Sequence, residues 1–597
     1  MSKVEASLKE AALTWMAHDP DPETVEELSN LLSQAEGVDS GATEIALEDL
    51  RSRFAAPLSF GTAGLRGAIG AGPGRMNVAV VRRATFGLCQ VLREVAGAGF
   101  KVGIGFDARY GSADFARAAA GVVVAAGGKA LLMPRPLPTP VLAFATKFLG
   151  LDAGIMVTAS HNPAADNGYK VYLGGRIVSG VGSAAQLVSP WDGRIFEQIV
   201  AAPQADEVPC ALEGWEVIPE SLIEEYISRA VSLVSDFRKR DVRVVLTSMH
   251  GVGAEVCEKV LGAADFHDVH PVAAQRLPDP DFPTVPFPNP EEAGALDLAF
   301  ALAREVSADV VIANDPDADR CAVAVPDVAA NGGWRQLSGD ELGAILGLYA
   351  ARGAQKGGAN AGSGSLARSL VSGSLLDKIA ISHGLTPQVS LTGFKWISRS
   401  ENMVFGYEEA IGYCCAPDIA LDKDGITATV LIAAIAAELK AEGRTLLDVL
   451  DDLACEHGLH VTAPLTFRVE NLDMIASGMK ALRTGGLPSL AGAKPSFSLD
   501  LSNTDYEDGF PSSVAAGWEH LRKLPPTDAL FYGVEGGSRV VVRPSGTEPK
   551  LKCYLEVVDD MAGLSPDARR AALGNARKAA AEKLDIMKAE LKAALGF

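Results

Sequence analysis

The segment Gly154–Tyr172 reads GIMVTASHNPAADNGYKVY. Its apolar run ends at Val157 and delivers Thr158, Ala159, Ser160 and His161 into a turn that Asn162-Pro163 keeps from starting a helix. A serine at the exit of a buried strand, with a histidine beside it, stands where nucleophiles often stand. A turn or capping serine is the equal alternative on this segment alone. The hydrolase elbow GxSxG is excluded, because Thr158 and Asn162 fill its glycine positions. In Asn314–Arg320 (NDPDADR), Asp315, Asp317 and Asp319 alternate after the strand-like run Ala308–Ala313. Pro316 forbids a helix there, so the carboxylates belong to a loop that can wrap a cation, and oxygen-only ligands suit Mg²⁺ or Ca²⁺. An EF-hand fails, with Arg320 in its glycine position and Pro326 in that of its last glutamate; a solvated acidic turn is the other alternative. Arg320 adds a cation where an anion could meet a bound metal.

Two further segments could recognise a ligand. In Val541–Tyr554 (VVRPSGTEPKLKCY), Arg543, Ser545, Gly546, Thr547, Lys550 and Lys552 surround a tight turn. Backbone N–H groups, two hydroxyls and a guanidinium fork there make a phosphate cradle, with an ordinary basic hairpin as the alternative. The nucleotide-binding GxxxxGK[ST] is absent: before Gly128-Lys129 the first glycine is replaced by Val123, and Ala130 follows. In Gly406–Tyr413 (GYEEAIGY), Glu408 and Glu409 could bind sugar hydroxyls, although paired glutamates are usually a solvated face. Thr392-Gly393-Phe394-Lys395 precedes them and Asp422-Lys423-Asp424-Gly425 follows. The glycine-rich Phe60–Arg75 supplies Thr62 and Arg66. A dinucleotide-like GxGxxA at Gly103–Ala108 is discounted, because Asp107 falls inside it and no helix begins on cue.

The elements that must position these residues follow from periodicity. Residues 4–53 read as amphipathic helices with acidic faces. Beyond them, short β-branched runs (Lys101–Phe106, Ala130–Met133, Ala153–Val157, Val242–Thr247, Asp309–Ala313) alternate with helical stretches such as Ser112–Ala126. That alternation predicts α/β layers with partly parallel sheets. Three α/β units of similar size suggest an internal triplication. A final α+β unit has strands near Arg539–Val542 and Lys552–Val557 and a helix from about Pro566. The expected domains are 1–220 (with 1–53 as a helical extension), 221–334, 335–463 and 464–597. Gln355–Ser365 reads as a loop.

At 597 residues the chain is too long for one core. Its net charge of −21 repels nucleic acid and anionic membranes, so neither is an expected partner. An anionic substrate then needs a locally basic pocket. The eight cysteines have no CxxC spacing and read as reduced, buried thiols. The first residues are not a signal peptide and no segment reads as a membrane span, which places the protein in the cytoplasm.

TASHNP, DPDADR, GYEEAIGY and RPSGTEPK together resemble the α-D-phosphohexomutase superfamily of phosphoglucomutases and phosphomannomutases, in order and approximate spacing, from about Phe60 to Val557. FGTAGLRG, FPNPEEAGALDLA, LTGFKW and LDKDGI are most similar to its phosphoglucomutase-2 and phosphopentomutase branch. The resemblance implies four domains round a central cleft, three related mixed α/β domains plus a smaller C-terminal α+β domain that swings to close on substrate phosphate. It implies a phosphoserine at Ser160, and one Mg²⁺ per chain on Ser160 phosphate, Asp315, Asp317 and Asp319. Arg66 and Arg320 would neutralise the transferring group, with Lys423 and His161 as acid and base. Thr392, Gly393, Lys395, Glu408 and Glu409 would bind sugar, and Arg543, Ser545, Gly546, Thr547 and Lys550 the distal phosphate. Phosphate would pass from Ser160 to the sugar and back, with glucose 1,6-bisphosphate as intermediate and activator. The implied assembly is a monomer or weak dimer. Hexose-directed relatives carry a serine after the glutamates (GEES) or two residues after a single glutamate (GEMS), whereas Ala410 stands here, which opens the site to pentose phosphates. Alternatives within the resemblance are a glucose-1,6-bisphosphate synthase, a phosphomannomutase and a non-catalytic phosphoprotein.

Overall fold

Largely apolar runs become the central strands. The computed structural model describes residues 4–37, 40–58, 64–356, 363–469, 472–503, 521, 524–545 and 550–596. In it Ala153–Val157, Val244–Thr247 and Val310–Ala313 are strands buried at every residue. Burial on both faces is what parallel strands under helices require.

Three sheets repeat one pattern. In the first, Lys101–Phe106 pairs parallel with Lys129–Leu132 and with Ala153–Val157, which turns back into antiparallel Asp166–Leu173. In the second, Val244–Thr247 pairs parallel with Val269–Pro271 and Val310–Ala313, which turns back into Ala322–Pro326. In the third, Ser365–Ser369 pairs parallel with Thr386–Ser390 and Met403–Glu408, which turns back into Gly412–Cys414. The same turn of each sheet therefore carries Ser160, the three aspartates, or the paired glutamates. These are three related α/β units, as the segment lengths suggested.

The fourth sheet is wholly antiparallel, in the order Leu459–Arg468, Lys550–Asp559, Arg539–Pro544, Leu530–Gly533, Phe497–Asp500. Leu459–Arg468 runs unbroken through the boundary expected at 463/464, because all ten of its residues pair with Lys550–Asp559. The helix Pro566–Leu595 packs Leu584, Met587 and Leu591 on the core of this sheet.

The chain divides into two compact units, residues 1–336 with 416–438, and residues 337–415 with 439–597. The first unit holds the first two sheets and the N-terminal helices Ala6–His18, Pro22–Ala35 and Ser40–Phe54. Those helices have a core of their own around Leu28, Leu32, Leu47 and Leu50, and Ala71 enters it. Glu27 accepts the Ala71 N–H at 2.9 Å, and Arg53 bridges Glu27 and the Ala71 carbonyl. The extension is thus a brace on the glycine-rich loop that follows Arg66. Among the described residues no helix is long and apolar enough to cross a membrane.

Candidate active site

The turn after Val157 stands Ser160 in the left-handed region, φ 52°. Its side chain is buried and its Oγ donates to Asp315 Oδ2 at 2.7 Å. His161 Nδ1 lies 3.2 Å from the same Oγ. Burial, then the Arg320 and Arg66 charges, hold His161 well below the usual imidazole range, so the ring is neutral. Arg66 donates to Asn162 Oδ1 at 3.0 Å and so stands beside the same turn.

Asp315, Asp317 and Asp319 are fully buried, and an oxygen from each lies within 4.8 Å of the others. Asp317 Oδ1 and Asp319 Oδ1 accept no hydrogen bond among the described residues. Buried carboxylate oxygens left so are costly unless a cation takes them, and an all-oxygen donor set with two open positions fits Mg²⁺. The Lys170 ammonium lies 2.8 Å from Asp317 Oδ2 and 3.0 Å from Asp319 Oδ2. Thr139 Oγ1 donates to Asp317 Oδ2 at 2.7 Å. Burial pushes Asp317 up, but Lys170 and its hydrogen bond outweigh that and hold the carboxyl far below the usual range. Burial and the two neighbouring aspartates push Asp315 well above it. Arg320 Nε stands 3.9 Å from Asp319 Oδ1 and 4.0 Å from Asp315 Oδ2.

Lys423 reaches the same cluster, its Nζ 3.4 Å from Asp319 Oδ2. Two aspartates pin it in place. Asp422 accepts from Tyr172 and Gln186 at 2.7 Å each. Asp424 accepts from Tyr226 at 2.9 Å and from Ile426 N and Thr427 N, which caps the apolar helix Gly425–Ala441. Arg66, Arg320, Lys170 and Lys423 supply the local basic character that the acidic chain needed.

The remaining expected residues lie in the second unit. Glu408 is buried. Glu409 accepts from Ser369 Oγ at 3.1 Å and Ser372 Oγ at 3.0 Å. Burial, then Glu408 and Asp340, push the Glu409 carboxyl up to about 7, with Lys552 pulling the other way. Arg543 and Lys552 face each other across paired strands, and Ser545 N donates to the Lys550 carbonyl at 2.8 Å, closing the hairpin. Gly546 and Thr547 of the cradle lie outside the described residues, as do Phe60–Thr62. Thr392, Gly393 and Lys395 are half-buried at the start of the short helix Phe394–Ile397. Ser372 also joins the glutamate turn to the fourth sheet: its carbonyl accepts from Arg539 at 2.5 Å, and Arg539 pairs with Glu556 at 2.7 Å.

Models of the phosphoglucomutase/phosphomannomutase family match four successive blocks of the chain: α/β/α domain I over 57–179, domain II over 224–331, domain III over 338–455 and the C-terminal domain over 512–566. The chain belongs to this family. It is a phosphohexomutase-superfamily enzyme, with relatives in the phosphopentomutase branch along nearly its whole length. It is 42% identical to the probable phosphomannomutase of Haemophilus influenzae over 81% of this chain and 93% of that one. It is 34% identical to the phosphopentomutase of Mus musculus over 93% of this chain and 91% of that one. A phosphoglucomutase/phosphomannomutase family protein of Burkholderia thailandensis shares the fold, with TM-score 0.63 at 18% identity, over 90% of this chain and 97% of that one.

Three residues of this mutase's site had no role in the sequence reading. Lys170 is a charged residue buried in its strand between Tyr169 and Val171, and that mismatch was its one visible signal. Thr139 opens a helix after Leu137-Pro138 with nothing to mark it. Arg109 follows the discounted glycine pattern, and its guanidinium lies under the Ser160 turn.

Proposed function

We propose that this phosphosugar mutase works by Mg²⁺-dependent phosphoryl transfer through phosphorylated Ser160 and a sugar bisphosphate. The observation that carries the proposal is the 2.7 Å contact of Ser160 Oγ with Asp315, inside a cluster of buried carboxylates with unfilled oxygens. Asp315, Asp317 and Asp319, with an oxygen of the serine phosphate, would hold the metal, which when bound supplies charge neutralisation at the phosphoryl oxygens.

In the first half-reaction a sugar hydroxyl attacks the phosphorus. The new O–P bond forms as the bond to Ser160 Oγ breaks. Lys423 and His161 are the acid/base candidates, with Lys170 poised on the same carboxylates: one group takes the hydroxyl proton and another returns a proton to Oγ. Arg66 and Arg320 neutralise charge on the group in flight. The second half-reaction reverses these steps with the other phosphate, the bisphosphate of the bound sugar serving as intermediate (glucose 1,6-bisphosphate for the hexose, the 1,5-bisphosphate for a pentose) and glucose 1,6-bisphosphate as priming agent. Glu408 and Glu409, with Thr392, Gly393 and Lys395, would orient the sugar. Arg543, Ser545, Gly546, Thr547 and Lys550 would hold the phosphate that stays.

For substrate we propose interconversion of glucose 1- and 6-phosphate and of ribose or deoxyribose 1- and 5-phosphate. Ala410 withholds a hydroxyl that hexose-directed relatives offer, and the mouse relative is named a phosphopentomutase. Rates on ribose, glucose and mannose 1-phosphate, measured side by side with bisphosphate and Mg²⁺, test the choice. A mannose rate above the other two overturns it. Ser160→Ala should abolish turnover and remove the phosphate found on that peptide by mass analysis; retained turnover would sink the mechanism.

A further inference from the structure

Arg109 is buried beneath the Ser160 turn, and its guanidinium is spent on that turn's backbone. One terminal nitrogen, Nη2, donates to the carbonyl of Ser160 at 2.7 Å and to that of Asn162 at 2.6 Å. The other, Nη1, donates to the carbonyls of Pro163 at 2.7 Å and Asp166 at 3.1 Å. The third nitrogen, Nε, faces Asp107 Oδ2 at 3.4 Å. Asp107 is in turn fixed by Ser112 Oγ at 2.6 Å and Arg109 N at 3.0 Å. The ring of Phe282 covers the guanidinium face at 4.9 Å. Three carbonyls of one turn and that of the first residue of the strand after it thus converge on a single planar cation.

Only a guanidinium can serve four acceptors so arranged. A lysine has three donors on one point and cannot span them. The turn needs the help, because Ser160 sits at a positive φ that a β-carbon disfavours. Asn162 passes the constraint on, since its side chain accepts from Arg66 at 3.0 Å and donates to Asp166 at 2.8 Å. We propose that Arg109 is the positioning residue of the phosphoserine turn: it fixes the Ser160 and Asn162 backbone and so aligns Oγ with Asp315 and Arg66 with the transferring phosphate. Arg109 meets neither substrate nor metal in this role. The inference rests on Ser160 as the phosphate carrier.

Arg109→Lys tests it. We expect kcat to fall at least 100-fold with KM for the sugar phosphate within threefold, since misalignment of the reacting atom harms the transition state and spares binding. Amide exchange in the resting enzyme should speed at least tenfold over residues 158–168 and stay unchanged over Ala153–Val157. Phe282→Leu uncovers the guanidinium while leaving the charge, and should cost five- to tenfold in kcat without moving KM; it serves where the lysine variant folds poorly. If Arg109→Lys keeps kcat within threefold while melting earlier, Arg109 merely holds the domain together and the proposal falls. Should Ser160→Ala retain turnover, the phosphoserine reading falls instead, and exchange over 158–168 alone decides whether Arg109 holds the turn.

Discussion

Lys170 carries the electrostatics of the aspartate cluster, bonded to Asp317 and Asp319 at once. Removing one partner of a buried ion pair leaves an uncompensated charge and costs about 3–5 kcal/mol. Lys170→Met should therefore lose that stability in chelator and regain much of it in Mg²⁺, read by denaturant titration; equal sensitivity to Mg²⁺ in variant and wild type would contradict the metal assignment. Glu409 gives a pH signature. Its carboxyl titrates near 7 in the fold against an ordinary 4.5. A carboxyl raised by folding contributes stability in full below about pH 4.5, and loses it as pH climbs through about 7. Glu409→Gln should flatten the decline of stability between pH 5 and 8, worth on the order of 3 kcal/mol, in melts collected across that range. Ser160 and the aspartates were legible because each motif is local. Lys170 and Arg109 were not, for their partners stand 147 and 51 positions away and only the folded sheets bring them close.

At the scale of elements, one turn is buttressed by another. Val252 N donates to the Pro316 carbonyl at 2.8 Å. Gly251 packs so closely there that a β-carbon would come 2.3 Å from Pro316 Cα and carbonyl oxygen. Gly251→Ala must displace the aspartate loop. Turnover should fall at least tenfold and half-saturation by Mg²⁺ should rise; an unchanged metal response would show that the loop absorbs the shift. The strand–helix alternation was readable because buried parallel strands are continuous apolar runs. The boundary near 463 was harder to read, since Leu459–Arg468 is an edge strand, half-buried along much of its length, and carries Pro464. The role of residues 4–53 also escaped the sequence: their helical period was plain, but the loop they brace was not.

At the scale of the molecule, residues 416–438 leave the second unit's sequence neighbourhood and belong to the first. Their aspartates satisfy Tyr172, Gln186 and Tyr226, which are buried or partly buried. A fragment ending at 336 leaves those groups without partners, at about 1–3 kcal/mol each. It should melt broadly and early by circular dichroism, and a synthetic peptide of residues 412–442 should sharpen the transition. A sharp transition in the fragment alone would refute the dependence.

The crossing of the chain has a consequence for engineering. Residues 338–455 form one matched family block, yet that block carries both the glutamate turn of one unit and Lys423 of the other. A graft of that block from a relative, made to change which sugar is accepted, would also import a foreign lysine loop and its capping aspartate. The glutamate turn and the Lys423 loop would thus be exchanged together in any such graft. A cleaner exchange would stop at Cys415 and leave the native 416–438 strap in place.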